Sequence, residues 1–359
     1  MKTRSLFVLM AAAVLVSCSK NENDAPVTPV TGNGEILVGS SIVGVNSSLS
    51  RAAYEGTAVV DFKALVLASL TTGDYTTLHC GGAMTFNDGE NSPFMTDEYD
   101  GDRKYKDVAA DATTPHYLFG LYPYTGWLNS GAAFTTGTAT SGALTFNFTG
   151  KDDVMLAAQS SSNYEDTYGA STIVTNLAFE HQLTLMKLKL QENVVSPAVA
   201  SGIVMNSIKL VEAGGAALKT EFTANLDGSA HAFAVAASPV ASFDCYTWDG
   251  TAFTDDVFAD YELTDAAVEQ AYVIAPPVVA SNVANSYEYT FEVTYTEGDN
   301  ETTQKVYVDL KTATGAGNEY NADTTGKAFE ITFKLVAGKI LATATITDWD
   351  PAGEFDLEI

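Results

Sequence analysis

Between Tyr287 and Leu310 the side chains alternate with a period of two, and this stretch restricts the fold more than any other. Tyr287, Tyr289, Phe291, Val293 and Tyr295 fall on one side of an extended chain, with Glu288, Thr290, Glu292 and Thr294 on the other. A helix cannot gather such a set on one face, because its repeat is about 3.6 residues; a half-buried strand requires it. Glu297-Gly298-Asp299-Asn300 supplies a turn, and Val306, Val308 and Leu310 carry the return strand. The segment therefore predicts a β-hairpin. Phe329, Ile331, Phe333 and Leu335 repeat the pattern, and Lys339–Thr347 begins a partner strand after Ala337-Gly338. Strands are also predicted over Glu35–Val45 and Ala58–Ala68. Thr264–Gln270 is the one short helix candidate, while Leu118–Gly126 is too rich in Gly, Pro and aromatics to be helical. Many short strands separated by Gly, Asn and Asp predict an all-β architecture of antiparallel sandwiches.

With 359 residues the chain is long enough for two ordinary domains. The stretch Leu177–Leu190 carries a phase change. Leu177, Phe179, Leu183 and Leu185 share one face with His181 between them, and the apolar set then moves to Met186, Leu188 and Leu190. Such a slip predicts a β-bulge or a strand crossing from one core to another. A domain boundary is placed just before it, near residue 175. This gives an N-terminal sandwich over residues 52–175 and a C-terminal one over residues 176–359.

The first residues read as an export signal. Lys2 and Arg4 precede a short apolar run that closes at Leu15-Val16-Ser17-Cys18, too short to span a bilayer stably. Residues 1–17 are read as a signal peptide. Cys18 stands where a lipoprotein signal is cut and its thiol acylated, so the chain is expected to be exported and tethered to a membrane. Ser19–Gly34 has the composition of a flexible tether. A net charge of −27 opposes binding to nucleic acid or anionic lipid. Cys80 and Cys245 allow one disulfide, but their separation in sequence favours two partly buried thiols.

Chemistry-bearing patterns are scarce. His79, His116, His181 and His231 lack metal-ligand spacing, and no nucleophile elbow, HExxH helix or phosphate loop is present. No enzyme, cofactor or metal is expected from them. Acidic pairs such as Asp152-Asp153 read as solvated loop charges, and a calcium site from Asp97, Glu98, Asp100 and Asp102 would require converging carboxylates. Tyr122, Tyr124 and Trp127 form either a sugar platform or a turn packed by its own rings.

Beyond Cys18 the chain has two arginines, Arg51 and Arg103. Arg51 sits in NSSLSRAAYEG, a small-residue connector of the kind a protease enters. Several segments then line up. They are the junction at Cys18, SRA at Arg51-Ala52, LFGLYPYTG at 118–126, DDVMLAA at 152–158, FEHQLTLMKLKL at 179–190, YVIAPP at 272–277 and ITDW at 346–349. In this order they resemble the fimbrillin family, the lipoprotein subunits of Bacteroidetes-type (type V) pili. The resemblance implies two tandem β-sandwiches of transthyretin-like topology and assembly by donor-strand exchange. Residues 18–51 then form a lipidated tether and a displaceable first strand, with Ile36, Val38, Ile42, Val43 and Val45 as its apolar residues. An arginine-specific protease cuts between Arg51 and Ala52, and the groove left open takes a strand from the next subunit. The donor is the C-terminal stretch, where Phe355, Leu357 and Ile359 alternate with acids. The implied partners are other pilus subunits, the maturation protease and, before cleavage, the outer membrane; the implied destination is an extracellular fimbrium, as a stalk rather than a tip subunit. The alternative is a glycan-binding surface lipoprotein that stays anchored through Cys18.

Overall fold

The hairpin is present as the sequence predicts it. In the computed structural model, Glu288–Glu297 pairs with Asn300–Asp309 residue for residue. A two-residue turn joins them, and Gly298 takes φ +62° there, a region only glycine enters freely. Tyr289, Phe291, Val293 and Tyr295 are all buried. The structure describes residues 38–42, 62–86, 113–124, 126–128, 142–163, 175–192, 203–248, 253–255, 258, 261–262, 268–278, 288–310, 324–336 and 339–347.

Four sheets account for the strands among these residues. The first runs, from edge to edge, β1 (Val38–Ile42), β8 (Thr175–His181), β7 (Met155–Ser162), β4 (His116–Tyr122), β2 (Phe62–Ser69) and β3 (Cys80–Phe86). The second runs β13 (Ala232–Ala234), β12 (Glu221–Asn225), β6 (Ala143–Asn147) and β5 (Trp127–Leu128). The third is β11 (Ala216–Ala217), β10 (Ile203–Ala213), β19 (Glu288–Glu297) and β20 (Asn300–Asp309). Two further short strands, β14 (Phe243–Asp244) and β17 (Tyr261–Glu262), also pair with β10. The fourth is β16 (Phe253–Asp255), β15 (Tyr246–Trp248), β18 (Val268–Ala275), β9 (Thr184–Glu192), β21 (Ala328–Val336) and β22 (Lys339–Thr347).

Pairing is antiparallel except at β1–β8 and β9–β21, which are parallel. Parallel neighbours need long crossovers, and both pairs are separated by more than a hundred residues of chain. No α-helix occurs among the described residues. Val268–Gln270, the end of the short helix candidate, is strand instead, because β18 pairs with Leu190 and Lys189 of β9. Register with a neighbouring strand outweighs a weak local helix preference.

The first sheet is buried on both faces. Leu65, Leu121 and Leu156 are covered on one side, and Val66, Leu118 and Phe179 on the other. That explains the unbroken apolar run of β2, which a one-sided sheet would have interrupted with polar residues. In the third and fourth sheets the inner faces meet, with the rings of Phe291 and Phe333 edge to face at 5.3 Å.

The passage between cores announced by the phase change in Leu177–Leu190 lies at Gln182-Leu183. There β8 leaves the first sheet and β9 begins in the fourth. Sheet pairing also crosses residue 175 in the other direction. After β10 the chain returns to the second sheet, where Glu221–Asn225 pairs with Ala143–Asn147. It then rejoins the third sheet at β14. The two halves are thus laced together. Phe148 N–H donates to Thr220 O at 2.9 Å and Ile274 N–H to Gly150 O at 2.7 Å.

Candidate functional site

β1 is an edge strand. Its only strand neighbour among the described residues is β8, in a parallel register from Val38 opposite Thr175 to Ile42 opposite Phe179. Five residues of parallel ladder form a modest attachment, since parallel pairing is slightly weaker per residue than antiparallel. Of the residues named for a displaceable strand, Val38 and Ile42 fall within β1. Ile36, Val43 and Val45 lie outside the described residues. So do Cys18, Arg51, Ala52, Phe355, Leu357, Ile359 and the acidic group at Asp97–Asp102.

The strand that receives β1 is fixed by three of the short motifs singled out in the sequence. Gly120 of LFGLYPYTG, Ala157 of DDVMLAA and Phe179 of FEHQL lie in register across β4, β7 and β8. A Cβ on Gly120 would stand 2.5 Å from Phe179 Cζ, so only glycine lets the ring lie flat over that position. Next to them, His181 Nδ1 and Asp153 Oδ2 are 2.9 Å apart, with side chains 2% and 0% exposed. Asp153 Oδ1 has no hydrogen-bond partner among the described residues. Gln182 N–H donates to Val154 O at 2.7 Å and closes the same corner. Asp153 is therefore a buried structural acid and not the solvated loop charge its sequence context suggests. Its charge also bears on Tyr246, whose phenol is pushed up first by burial and then by that carboxylate.

A second polar knot lies where YVIAPP ends. Tyr289 OH donates to Pro276 O at 2.9 Å and sits 3.0 Å from Thr324 Oγ1. Thr184 Oγ1 donates to Thr324 O at 2.8 Å, and Val278 N–H donates to Thr324 Oγ1 at 2.7 Å. At the outer margin of this half, Gln304 of β20 reaches β22. Its Nε2 donates to Ile340 O at 3.1 Å, and its Oε1 accepts from Ile340 N–H at 3.4 Å. One side-chain amide thus satisfies both backbone groups of an edge residue.

The aromatic trio does not present a sugar platform. Tyr122 and Trp127 are buried, and Trp127 Nε1–H donates to Pro123 O at 2.6 Å, which is the self-packed turn. Tyr124 is half-buried, with Lys63 Nζ 4.0 Å from its ring centre. Cys80 and Cys245 are buried, unbridged thiols, and burial pushes the Cys245 pKa up. The histidines are less scattered than their spacing suggests. The rings of His79 and His116 meet edge-on at 4.7 Å, and His231 stacks on Phe119. No group of three or more metal-ligating side chains converges among the described residues.

No family model matches the chain, and no curated protein matches it in sequence. Among solved structures, it is similar to a protein named for cell adhesion from Bacteroides uniformis, at 16% identity and TM-score 0.49. That match covers 88% of this chain and 98% of the other. A fimbrial protein from Bacteroides vulgatus aligns at 14% identity and TM-score 0.43, over 87% and 99% of the two chains. A protein named for polysaccharide binding from Bacteroides thetaiotaomicron aligns at 10% identity and TM-score 0.42, over 88% and 97%.

Proposed function

We propose that the chain is a structural subunit of a cell-surface fibre, exported as a lipoprotein through Cys18, cut after Arg51 and polymerised by exchange of its first strand. The observation that carries this reading is the position of β1. It is a parallel edge strand with a short ladder to β8, and in sequence it stands between the acylation junction and the isolated arginine. A cut after Arg51 frees the segment bearing β1 from the rest of the fold, and the exposed margin of β8 then needs a new strand. The C-terminal stretch with Phe355, Leu357 and Ile359 has the alternation to supply it. Burying three large apolar side chains contributes on the order of 5–8 kcal/mol before ordering costs. The contact is head-to-tail and does not close on itself, so it propagates as a filament.

The test is polymerisation of the purified precursor after treatment with a trypsin-like protease. Wild type is expected to give a ladder of heat-labile oligomers on gels, Arg51→Ala is expected to stay monomeric, and a chain lacking residues 352–359 is expected to accept a neighbour without extending. Equal polymerisation of Arg51→Ala and wild type overturns the maturation step. Unchanged fibre length without the tail overturns the donor assignment.

A further inference from the structure

The two outer faces of the C-terminal half carry opposite excess charge. On the fourth sheet, Phe329, Ile331, Phe333 and Leu335 of β21 are buried, so the residues between them face outward. Register then aligns three rows across β22, β21 and β9. Leu341 stands level with Lys334 and Gln191, Thr343 with Thr332 and Lys189, and Thr345 with Glu330 and Lys187. Three lysines share one carboxylate here, and Lys189 Nζ takes it, 2.7 Å from Glu330 Oε2. Among the described residues Lys187 and Lys334 make no hydrogen bond or ion pair, although Lys187 is only 7% exposed.

The third sheet reverses the sign. Its outward positions on β10, β14, β19 and β20 hold Glu212, Asp244, Glu292 and Glu301, with Lys209 and Lys305 between them. Lys305 Nζ lies 3.1 Å from Glu212 Oε1, and Lys209 Nζ lies 3.0 Å from Asp244 Oδ1. Glu301 accepts from the Asn206 amide at 3.1 Å. Neither Glu292 nor Glu301 has an ion pair among the described residues. Each face also bears one large exposed apolar side chain, Leu341 at 53% on the fourth sheet and Tyr307 at 60% on the third.

We infer that these faces are the two sides of a contact between copies of this chain, the lysine face of one seated on the acidic face of the next. Tyr307 packs on Leu341. Lys334, opposite Leu341 in register, then meets Glu292, which lies diagonal to Tyr307. Neighbouring side chains on a sheet stand about 5–8 Å apart, so one alignment accommodates both pairs. The lysine face requires an acidic partner, and a second copy supplies one of the same flat strand geometry. The net charge of −27 repels two copies at long range, but a screening length of about 8 Å at physiological ionic strength leaves the local match in force.

Because the two faces are different patches, each copy in a pair keeps one of them free and the contact does not close. Exposed ion pairs contribute at most about 1 kcal/mol each, so single copies at micromolar concentration remain apart. Copies aligned in a fibre repeat the contact along its length and gather side by side. This association is separate from strand exchange and uses neither β1 nor the C-terminal stretch.

The experiment is oxidative cross-linking of the uncut chain, in a large excess of detergent micelles, with Tyr307→Cys in one preparation and Leu341→Cys in the other. The mixture at about 0.1 mM is expected to give a disulfide-linked dimer at least tenfold above either preparation alone. Adding Lys334→Glu to the Leu341→Cys chain is expected to lower that yield severalfold, and adding Glu292→Lys to the Tyr307→Cys chain is expected to restore it. Matching thermal midpoints confirm that the variants are folded. No dimer in the mixture, equal dimer in each preparation alone, or no response to Lys334→Glu overturns the contact. Suppression by a peptide of residues 352–359 also overturns it, by giving the lysine face to the acidic tail. Since the chain is uncut, failure here and failure of strand exchange are read separately.

Discussion

The two halves of the molecule close their sheet margins in different ways. In the N-terminal half, the margin of β8 is covered by a strand held through five residues of backbone ladder. In the C-terminal half, the margin of β22 is held from within, where the Gln304 amide bonds both backbone groups of Ile340. Sheet edges in water must be paired, covered or otherwise blunted. A covering strand can be exchanged for another of similar pattern, because the ladder is indifferent to side chains. A side-chain clasp cannot leave without unfolding the strand that bears it. The proposed exchange therefore concerns the margin of β8 and leaves that of β22 in place.

The largest break in that comparison is expected at Asp153. Removing one partner of a buried hydrogen bond typically costs about 1–3 kcal/mol, and more where a charged group is involved. Asp153→Ala removes the carboxylate bonded to His181 at the end of β8, next to the register that holds β1. Amide hydrogen exchange is expected to accelerate together in β8 and β1, with the hairpin of β19 and β20 keeping its protection. Equal acceleration of that hairpin would mean that the two halves open as one unit.

The source of these features in the sequence is uneven. The hairpin of β19 and β20 was legible because alternation over ten residues admits one backbone period. The passage at Gln182-Leu183 left a trace as well, since a chain that changes cores must reset which residues are buried. Asp153 left none. It follows Asp152 in a polar stretch, and its partner His181 is 28 residues away, so local composition reads both acids alike. The same holds for the return of β12 to the second sheet, where the short alternation of Phe222 and Ala224 fits any half-buried strand. The aromatic trio, by contrast, was conspicuous in sequence for a packing reason: Tyr122 and Trp127 fill the core.

A smaller effect sharpens the comparison from the other side. Gln304→Ala removes both bonds to Ile340 and leaves those backbone groups to water, at a cost of about 1 kcal/mol, because the site is only partly buried. The chain is expected to remain monomeric by light scattering, with a slightly lower midpoint in urea and an unchanged slope. If this variant polymerises without protease, the β22 margin is exchangeable too and the contrast between the halves fails.

The smallest effect concerns the turn over Leu226–His231, which belongs to the laced second sheet. The protein packed around His231 holds its pKa below the ordinary value of 6.5, and the bond from Asn225 N–H to Nδ1 requires the neutral ring. The sign follows from linkage. With the folded value depressed, the unfolded chain binds the proton first as pH falls, so the stabilising contribution is whole above about pH 6.5 and is lost as pH drops toward the folded value. Thermal melts between pH 8 and pH 5 are expected to show a midpoint that declines below pH 6.5, and His231→Gln is expected to flatten that part of the curve. Carboxylates and the other histidines contribute slopes of their own, so the decisive quantity is the difference between the two proteins. A difference confined to pH above 7, or of opposite sign, would show that His231 is held in its charged form and that the turn is tied by another bond.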